Sequence, residues 1–290
     1  MRTEKKMKSI TTTNAVASIL AIAIIPSAAG PLLYEGFDYA DSRESNNASL
    51  AGANGGTGWG GGWKETKWPM ADAVEPGLAF GRLGVKGNAA TSTASSWGHA
   101  TRATGETLSK AGLLNNGATL WFSIVIDNSA AASGVKNGLA LGTGAFSGDA
   151  QEKMPQGSFG IGLLQSGYEK VVAAYWADRS LSTGNTGIYP TQATLFVGKI
   201  EWGSTDEANE TLTIYAPGAD LKLGNPVAKL VIPAANQSKF DTVALLTKDN
   251  GRMDEIRYGA GAQDVIPGVL SKARQQTRIS HTFAMQKNDE

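Results

Sequence analysis

Beyond residue 29 this sequence has almost no amphipathic stretch of helical length; Val269–Gln275 is the one short candidate. Short apolar runs follow one another instead, at Leu32–Tyr39, Leu78–Val85, Leu120–Ile126, Gly138–Leu141, Phe159–Leu164, Val171–Trp176, Thr194–Trp202, Thr211–Tyr215, Val227–Ile232, Thr242–Leu246 and Met253–Tyr258. Beta-branched and aromatic residues are common in them, and Gly, Asn, Asp or Pro stand between. Thr211-Leu212-Thr213-Ile214-Tyr215 alternates polar with apolar, as a half-buried strand requires. Leu120–Ile126 is nearly all apolar, which predicts a strand covered on both faces. About eleven strands without crossover helices exclude a parallel α/β sheet. The expected fold is all-β, two antiparallel sheets packed face to face as a sandwich or jelly roll. Glycine supports this: 36 of 290 residues, scattered rather than periodic, imply many turns.

The N-terminus carries a different signal. Arg2, Lys5, Lys6 and Lys8 precede an apolar run from Ala15 to Ile25, Pro26 breaks it, and Ser27-Ala28-Ala29 supplies small residues before Gly30. That order is the secretory signal pattern, and the run is shorter than the ~20 apolar residues a membrane span needs. Residues 1–29 are therefore read as a signal peptide, 30–267 as one domain, and 268–290, where the strand pattern stops, as a mobile or loosely docked tail. The expected location is secreted or cell surface, with no transmembrane segment once the signal is removed. Removing four of the 26 basic and one of the 26 acidic residues leaves 22 against 25. A slightly acidic chain argues against nucleic acid as a partner. Cysteine is absent and only His99 and His281 are present, which excludes thiol catalysis, Cys-based zinc sites and a multi-His metal centre.

Several segments, in order, resemble bacterial exported proteins with a laminin-G-like (LamG-like), concanavalin-A-like jelly roll. They are Tyr34-Glu35-Gly36-Phe37-Asp38-Tyr39, Leu50-Ala51-Gly52, the Gly55–Trp63 glycine-tryptophan loop, Leu120-Trp121-Phe122-Ser123, Phe196–Ile200, Met253–Gly259 and Asp264-Val265-Ile266-Pro267. The resemblance spans roughly 32–267. It implies that the first and last strands pair, with Phe37-Asp38-Tyr39 beside Ile256-Arg257-Tyr258. Many such relatives end in a hydrophobic sorting segment and basic residues; this chain ends Ala284–Glu290 without them. The sandwich itself serves lectins, glycosidases, lyases and adhesion modules alike.

Candidate chemistry is sparse. Sandwich glucanases carry alternating acidic residues on one strand face, and no such strand is present. Asp254 and Glu255 are adjacent and point to opposite faces of a regular strand; Glu35 and Asp38 also diverge. A lyase needs a base and a charge-neutralising group beside an acidic sugar, and His99, read as a loop residue, is the only histidine placed for it. Gly56–Gly61 matches G-x-G-x-x-G in letters but lacks the preceding strand and following helix. Neither a nucleophile elbow nor a phosphate loop occurs. No catalytic residue is assigned.

Trp59, Trp63 and Trp68 fall within ten residues of one another among glycines. Exposed, they would stack on sugar rings with the indole N–H free for a polar partner. Buried, Trp59 and Trp63 would plug the sandwich edge, with glycines letting backbone pass close by. Glu255 and Arg257 share a face and pair weakly if exposed, whereas Asp254 is expected to be held by backbone N–H groups. No cofactor is evident; calcium is compatible with such sandwiches, though no Asp-x-Asp-x-Asp-Gly loop occurs, and Asp149–Glu152 and Asp206–Glu210 read as solvated turns. The expected function is a non-catalytic module binding a polysaccharide or cell-surface glycan, or contributing to the cell surface or matrix. The alternatives are a polysaccharide hydrolase or lyase, and a purely structural adhesion protein.

Overall fold

The alternating segments become sixteen strands in the computed structural model, which describes residues 30–39, 48–65, 72–74, 76–85, 87–92, 97–146 and 154–266. In chain order they are β1 (Leu33–Glu35), β2 (Ala48–Ser49), β3 (Lys64–Glu65), β4 (Asp72–Val74), β5 (Ala89–Thr91), β6 (Trp97–Ala103), β7 (Thr119–Asp127) and β8 (Lys136–Gly142). Then come β9 (Phe159–Ser166), β10 (Val172–Ala177), β11 (Ser180–Asn185), β12 (Thr194–Glu201), β13 (Glu210–Tyr215), β14 (Pro226–Ile232), β15 (Thr242–Lys248) and β16 (Arg252–Gly259). Among the described residues there are also two four-residue helices, α1 (Thr107–Lys110) and α2 (Ala262–Val265), and a 3-10 turn at Gln237–Lys239. The segments expected to be a signal peptide (1–29), a tail (268–290) and, within it, a short helix at Val269–Gln275 lie outside the described residues.

Nine strands form one sheet in the order β14-β13-β12-β7-β16-β5-β4-β2, with β1 lying beside β16 along the part that β5 leaves uncovered. Seven form the other, β11-β10-β9-β8-β15-β6-β3. Every pairing is antiparallel, and the chain passes repeatedly from sheet to sheet, as at β7 to β8 and β14 to β15 to β16. The protein is an all-β, antiparallel two-sheet jelly-roll sandwich of the concanavalin-A-like type.

Three apolar layers explain the pattern. Between the sheets, Leu120, Phe122, Ile124 and Ile126 of β7 meet Leu139 and Leu141 of β8, Ile161 and Leu163 of β9, and Val243 and Leu245 of β15. Val125 of β7 faces the other way. With Leu195 and Val197 it is roofed by Leu78, Leu83 and Leu221 from loops, and by Val265 and Ile266 at α2. Thus β7 is covered on both faces, which is why its sequence does not alternate. The outer face of the seven-stranded sheet has its own layer, Ala140, Leu164, Ala174, Trp176, Ala244 and Leu246, under Phe146 and Met154.

Three sequence expectations need correction. Leu78–Val85 is loop, not strand; its leucines are apolar because they roof a sheet face. His99 is not a loop residue but sits inside β6, fully buried. The first and last strands do pair, but Glu35 stands opposite Ile256, so Phe37–Tyr39 runs past the partner strand. Phe37 has φ 51, which turns the chain out of the ladder at that point.

Candidate functional site

The glycine-tryptophan loop is built around a buried ion pair. Glu35 of β1 and Arg102 of β6 belong to different sheets, and their side chains are 0% and 1% exposed. Glu35 Oε1 accepts the Phe37 N–H at 2.7 Å, while Oε2 accepts Arg102 Nη1, the Tyr39 hydroxyl at 2.7 Å and the Trp63 indole N–H at 3.1 Å. Arg102 donates also to the carbonyls of Gly61 and Gly55 and to Asn54 Oδ1. Its guanidinium carbon lies 4.9 Å from the Trp59 ring centroid and 5.7 Å from that of Trp63. Burial holds the Arg102 pKa below its usual value, with Glu35 pulling it back up. Trp63 is 1% exposed, and Trp59, half-buried, gives its N–H to the Tyr34 carbonyl at 2.8 Å. The structure thus brings Trp59 and Trp63 together, their rings 6.1 Å apart, with both indole N–H groups engaged inside the protein. Trp68 lies outside the described residues.

The acidic residues at the end of the chain also face inward. A bulge in β16, with Glu255 at φ 58, breaks the regular alternation expected of Asp254 and Glu255 and leaves both buried. Asp254 accepts the Leu78 N–H at 2.8 Å and the Glu255 N–H at 2.6 Å. Burial first, then the Glu255 charge, pushes its pKa well above the usual carboxylate range. Glu255 pairs with Arg257 and accepts the Tyr34 hydroxyl at 3.1 Å, so that ion pair is interior rather than superficial. Glu210 is buried and takes the Ala235 N–H, whereas Asp206 is exposed and takes Asn116. Asp149–Glu152 lies outside the described residues, as does His281. Among the described residues no three His, Cys, Asp or Glu side chains gather as a metal site would require.

His99 lies on the outer face of the seven-stranded sheet, near the Phe146 backbone and edge-on to Trp97, 5.7 Å between ring centroids. Neither ring nitrogen makes a hydrogen bond of good geometry among the described residues, the Phe146 backbone offering only a weak contact. Burial drives its pKa down to about 4, against a smaller upward pull from the Phe146 backbone. It is neutral at physiological pH and shielded from water, unlike a base poised to act on a substrate.

Exposed aromatic surface occurs elsewhere, at the end of the sandwich where β9 turns into β10. Tyr168 is 72% exposed, and its ring lies 6.3 Å from that of Tyr189. Beneath them are Asn128, Asn137 and Gln165, all buried: Asn137 donates to Asn128 Oδ1 at 2.7 Å and to Gln165 Oε1 at 3.3 Å. The Asn128 side chain also reaches the Tyr189 hydroxyl. Burial, and then Tyr168, raise the Tyr189 pKa while Asn128 opposes them. Backbone bonds knit the surrounding turns: Gly167 to Val135, Asn128 to Pro190, Val171 to Ile188 and Ala132 to Asp249. The pair offers one exposed aromatic face, while the amides beneath it are occupied with one another. Sequence reasoning passed over it. The only local signal was an aromatic in the Gly167-Tyr168-Glu169-Lys170 turn, and Tyr189 and Asn128 reach it only through the fold.

No protein-family model matches the chain, and no curated protein does. Among solved structures it is similar to an alginate lyase from Chlorella virus (8% identity, 69% of this chain and 89% of that one, TM-score 0.38). It is similar also to an endo-β-1,4-glucuronan lyase from the fungus Trichoderma reesei (16% identity, 77% and 97%, TM-score 0.35). A third is a legume lectin-like domain from Entamoeba histolytica (10% identity, 62% and 87%, TM-score 0.34). Likeness of this degree transfers no residue role. No helix among the described residues is long and apolar enough to cross a membrane.

Proposed function

We propose that this chain is an exported, non-catalytic module that binds carbohydrate outside the cell through the Tyr168–Tyr189 end of the sandwich. The observation that carries the reading is the exposed Tyr168 ring, paired with Tyr189 over buried Asn128, in a set of turns fixed by backbone hydrogen bonds. Aromatic faces take the apolar C–H surface of a sugar, and the buried amides beneath hold the tyrosine pair in place. The basic, apolar and small-residue order of residues 1–29 supports export. Buried carboxylates such as Glu35, Asp254 and Glu255 are tied to backbone N–H groups or arginines, which favours binding over hydrolysis.

The test is retention of the full chain on a panel of insoluble and soluble polysaccharides, with and without calcium, followed by a reducing-end assay. Retention without product is expected, with Tyr168→Ala weakening it about three- to tenfold and leaving the melting temperature unchanged. Release of reducing ends would turn the reading towards an enzyme. Loss of retention on every polymer would overturn it and leave adhesion or scaffolding.

A further inference from the structure

The sequence holds four Asn-Gly pairs, at 54–55, 116–117, 137–138 and 250–251. A glycine has no Cβ to hinder its backbone nitrogen from approaching the side-chain carbonyl carbon of the asparagine before it. Attack there closes a five-membered ring. It needs a glycine N–H that is free to give up its proton and a side-chain carbonyl that is polarised. The fold grants these unequally.

At three of the pairs the glycine nitrogen is engaged. The Gly117 N–H donates to the Gly203 carbonyl at 2.8 Å, and the Gly251 N–H to the Lys248 carbonyl at 3.1 Å. Gly138 stands inside β8, between β9 and β15. Two of the side chains are held as well. Asn116 donates to Asp206 at 2.7 Å and accepts from Gln237 at 2.6 Å, while Asn137 is fully buried and donates to Asn128 and Gln165.

Asn54-Gly55 differs on both counts. The Gly55 N–H makes no hydrogen bond among the described residues, and Asn54 is exposed to water. Asn54 Oδ1 accepts Arg102 Nη2 at 2.9 Å, and the same nitrogen donates to the Gly55 carbonyl at 2.8 Å. Arg102 is itself fixed by the Gly61 carbonyl, the Glu35 ion pair and the Trp59 face. A held cation on a carbonyl oxygen draws electrons from the carbon and stabilises negative charge developing on the oxygen. The guanidinium stands where an oxyanion would form.

We propose that Asn54-Gly55 is a self-modification site, at which the chain converts its own asparagine to a carboxylate with Arg102 as the oxyanion partner. The Gly55 nitrogen, its proton passed to hydroxide, bonds to Asn54 Cγ, and the carbonyl electron pair moves onto Oδ1 against Arg102 Nη2. The pair returns as the Cγ–Nδ2 bond breaks, and Nδ2 leaves as ammonia with a proton taken from water. Water then opens the cyclic imide, leaving aspartate or isoaspartate at position 54. Hydroxide and water are the only co-reactants, and the reaction is independent of what the chain binds.

The experiment incubates the full chain in mildly alkaline buffer, folded and in urea, and follows the four asparagines by peptide mass spectrometry for exchange of –NH2 for –OH. In the folded chain Asn54 is expected to react about tenfold or more ahead of Asn116, Asn137 and Asn250. It should also react faster folded than in urea, because Arg102 reaches it only in the fold. Hydroxylamine, which opens the imide, should cut the folded chain between residues 54 and 55. Arg102→Lys should slow Asn54 about tenfold and leave Asn250 unchanged. If that variant unfolds, the comparison of folded chain with urea decides in its place. An Asn54 that reacts no faster folded than in urea, or that lags any of the other three in the folded chain, overturns the proposal. Undiminished reaction in a folded Arg102→Lys variant does the same.

Discussion

Arg102 and Glu35 join the two sheets through an ion pair that water does not reach. Taking two charges out of water is costly, and the pair is tolerated because nearly every lone pair and N–H around it is used. Removing one partner leaves the other buried and uncompensated. Glu35→Gln and Arg102→Ala are each expected to cost about 3–5 kcal/mol in urea unfolding. The double variant should cost clearly less than the two combined; full additivity would show that the charges do not interact.

The loop that wraps this pair depends on glycine at one point and not at another. Gly56 has φ +67, and a methyl group there would run into the Tyr34 carbonyl oxygen, which accepts the Thr57 N–H and the Trp59 indole N–H. Gly56→Ala should therefore destabilise by about 2 kcal/mol or more. Gly61, with open space around its Cβ direction and no left-handed backbone, should accept alanine with little change. Equal melting temperatures for the two variants would contradict this account of the loop.

His99 predicts a loss of stability in mild acid. Its folded pKa, about 4, lies below the ordinary value of 6.5, so between those values the unfolded chain binds more protons than the folded one. The contribution is whole above pH 6.5 and is lost progressively as pH falls to about 4, by ~3 kcal/mol in all. His99→Leu should flatten that part of the stability-versus-pH curve. A curve of the same steepness in the variant would place the acid sensitivity elsewhere.

The sheets were legible in the sequence wherever apolar residues alternate or run together, and the covered strand β7 was legible for the same reason. Short strands β2 to β5 and the polar β11 escaped, and so did β6, Trp-Gly-His-Ala-Thr-Arg-Ala, because its inward face carries Arg102 and its outward face His99 in place of leucine or valine. Its partner strands and Glu35 make those residues tolerable, and neither is adjacent in sequence. Leu78–Val85 misled in the opposite sense, since a loop that roofs a sheet needs leucine as much as a strand does. Asn54-Gly55 was invisible for a third reason: Asn-Gly recurs at four places in the sequence, and only the fold brings Arg102 to one of them.

Phe146 links the outer layer to the acid sensitivity, and Phe146→Ala separates the two effects. Its ring packs edge-on to Trp176 at 5.2 Å and lies against Gly138, where an added Cβ would come within 3.0 Å of it. Gly138 is on the same cross-strand row as His99, with Leu246 between them. Truncation should cost about 3 kcal/mol at neutral pH through lost burial and the cavity left behind. It should also admit water to the imidazole, so that the His99 pKa moves back up towards 6.5 and the drop in stability between pH 6.5 and 4 becomes shallower. A variant that is weaker at pH 7 yet loses less on acidification carries both signatures; one that is weaker with an unchanged acid slope would mean that Trp97, not Phe146, keeps His99 dry.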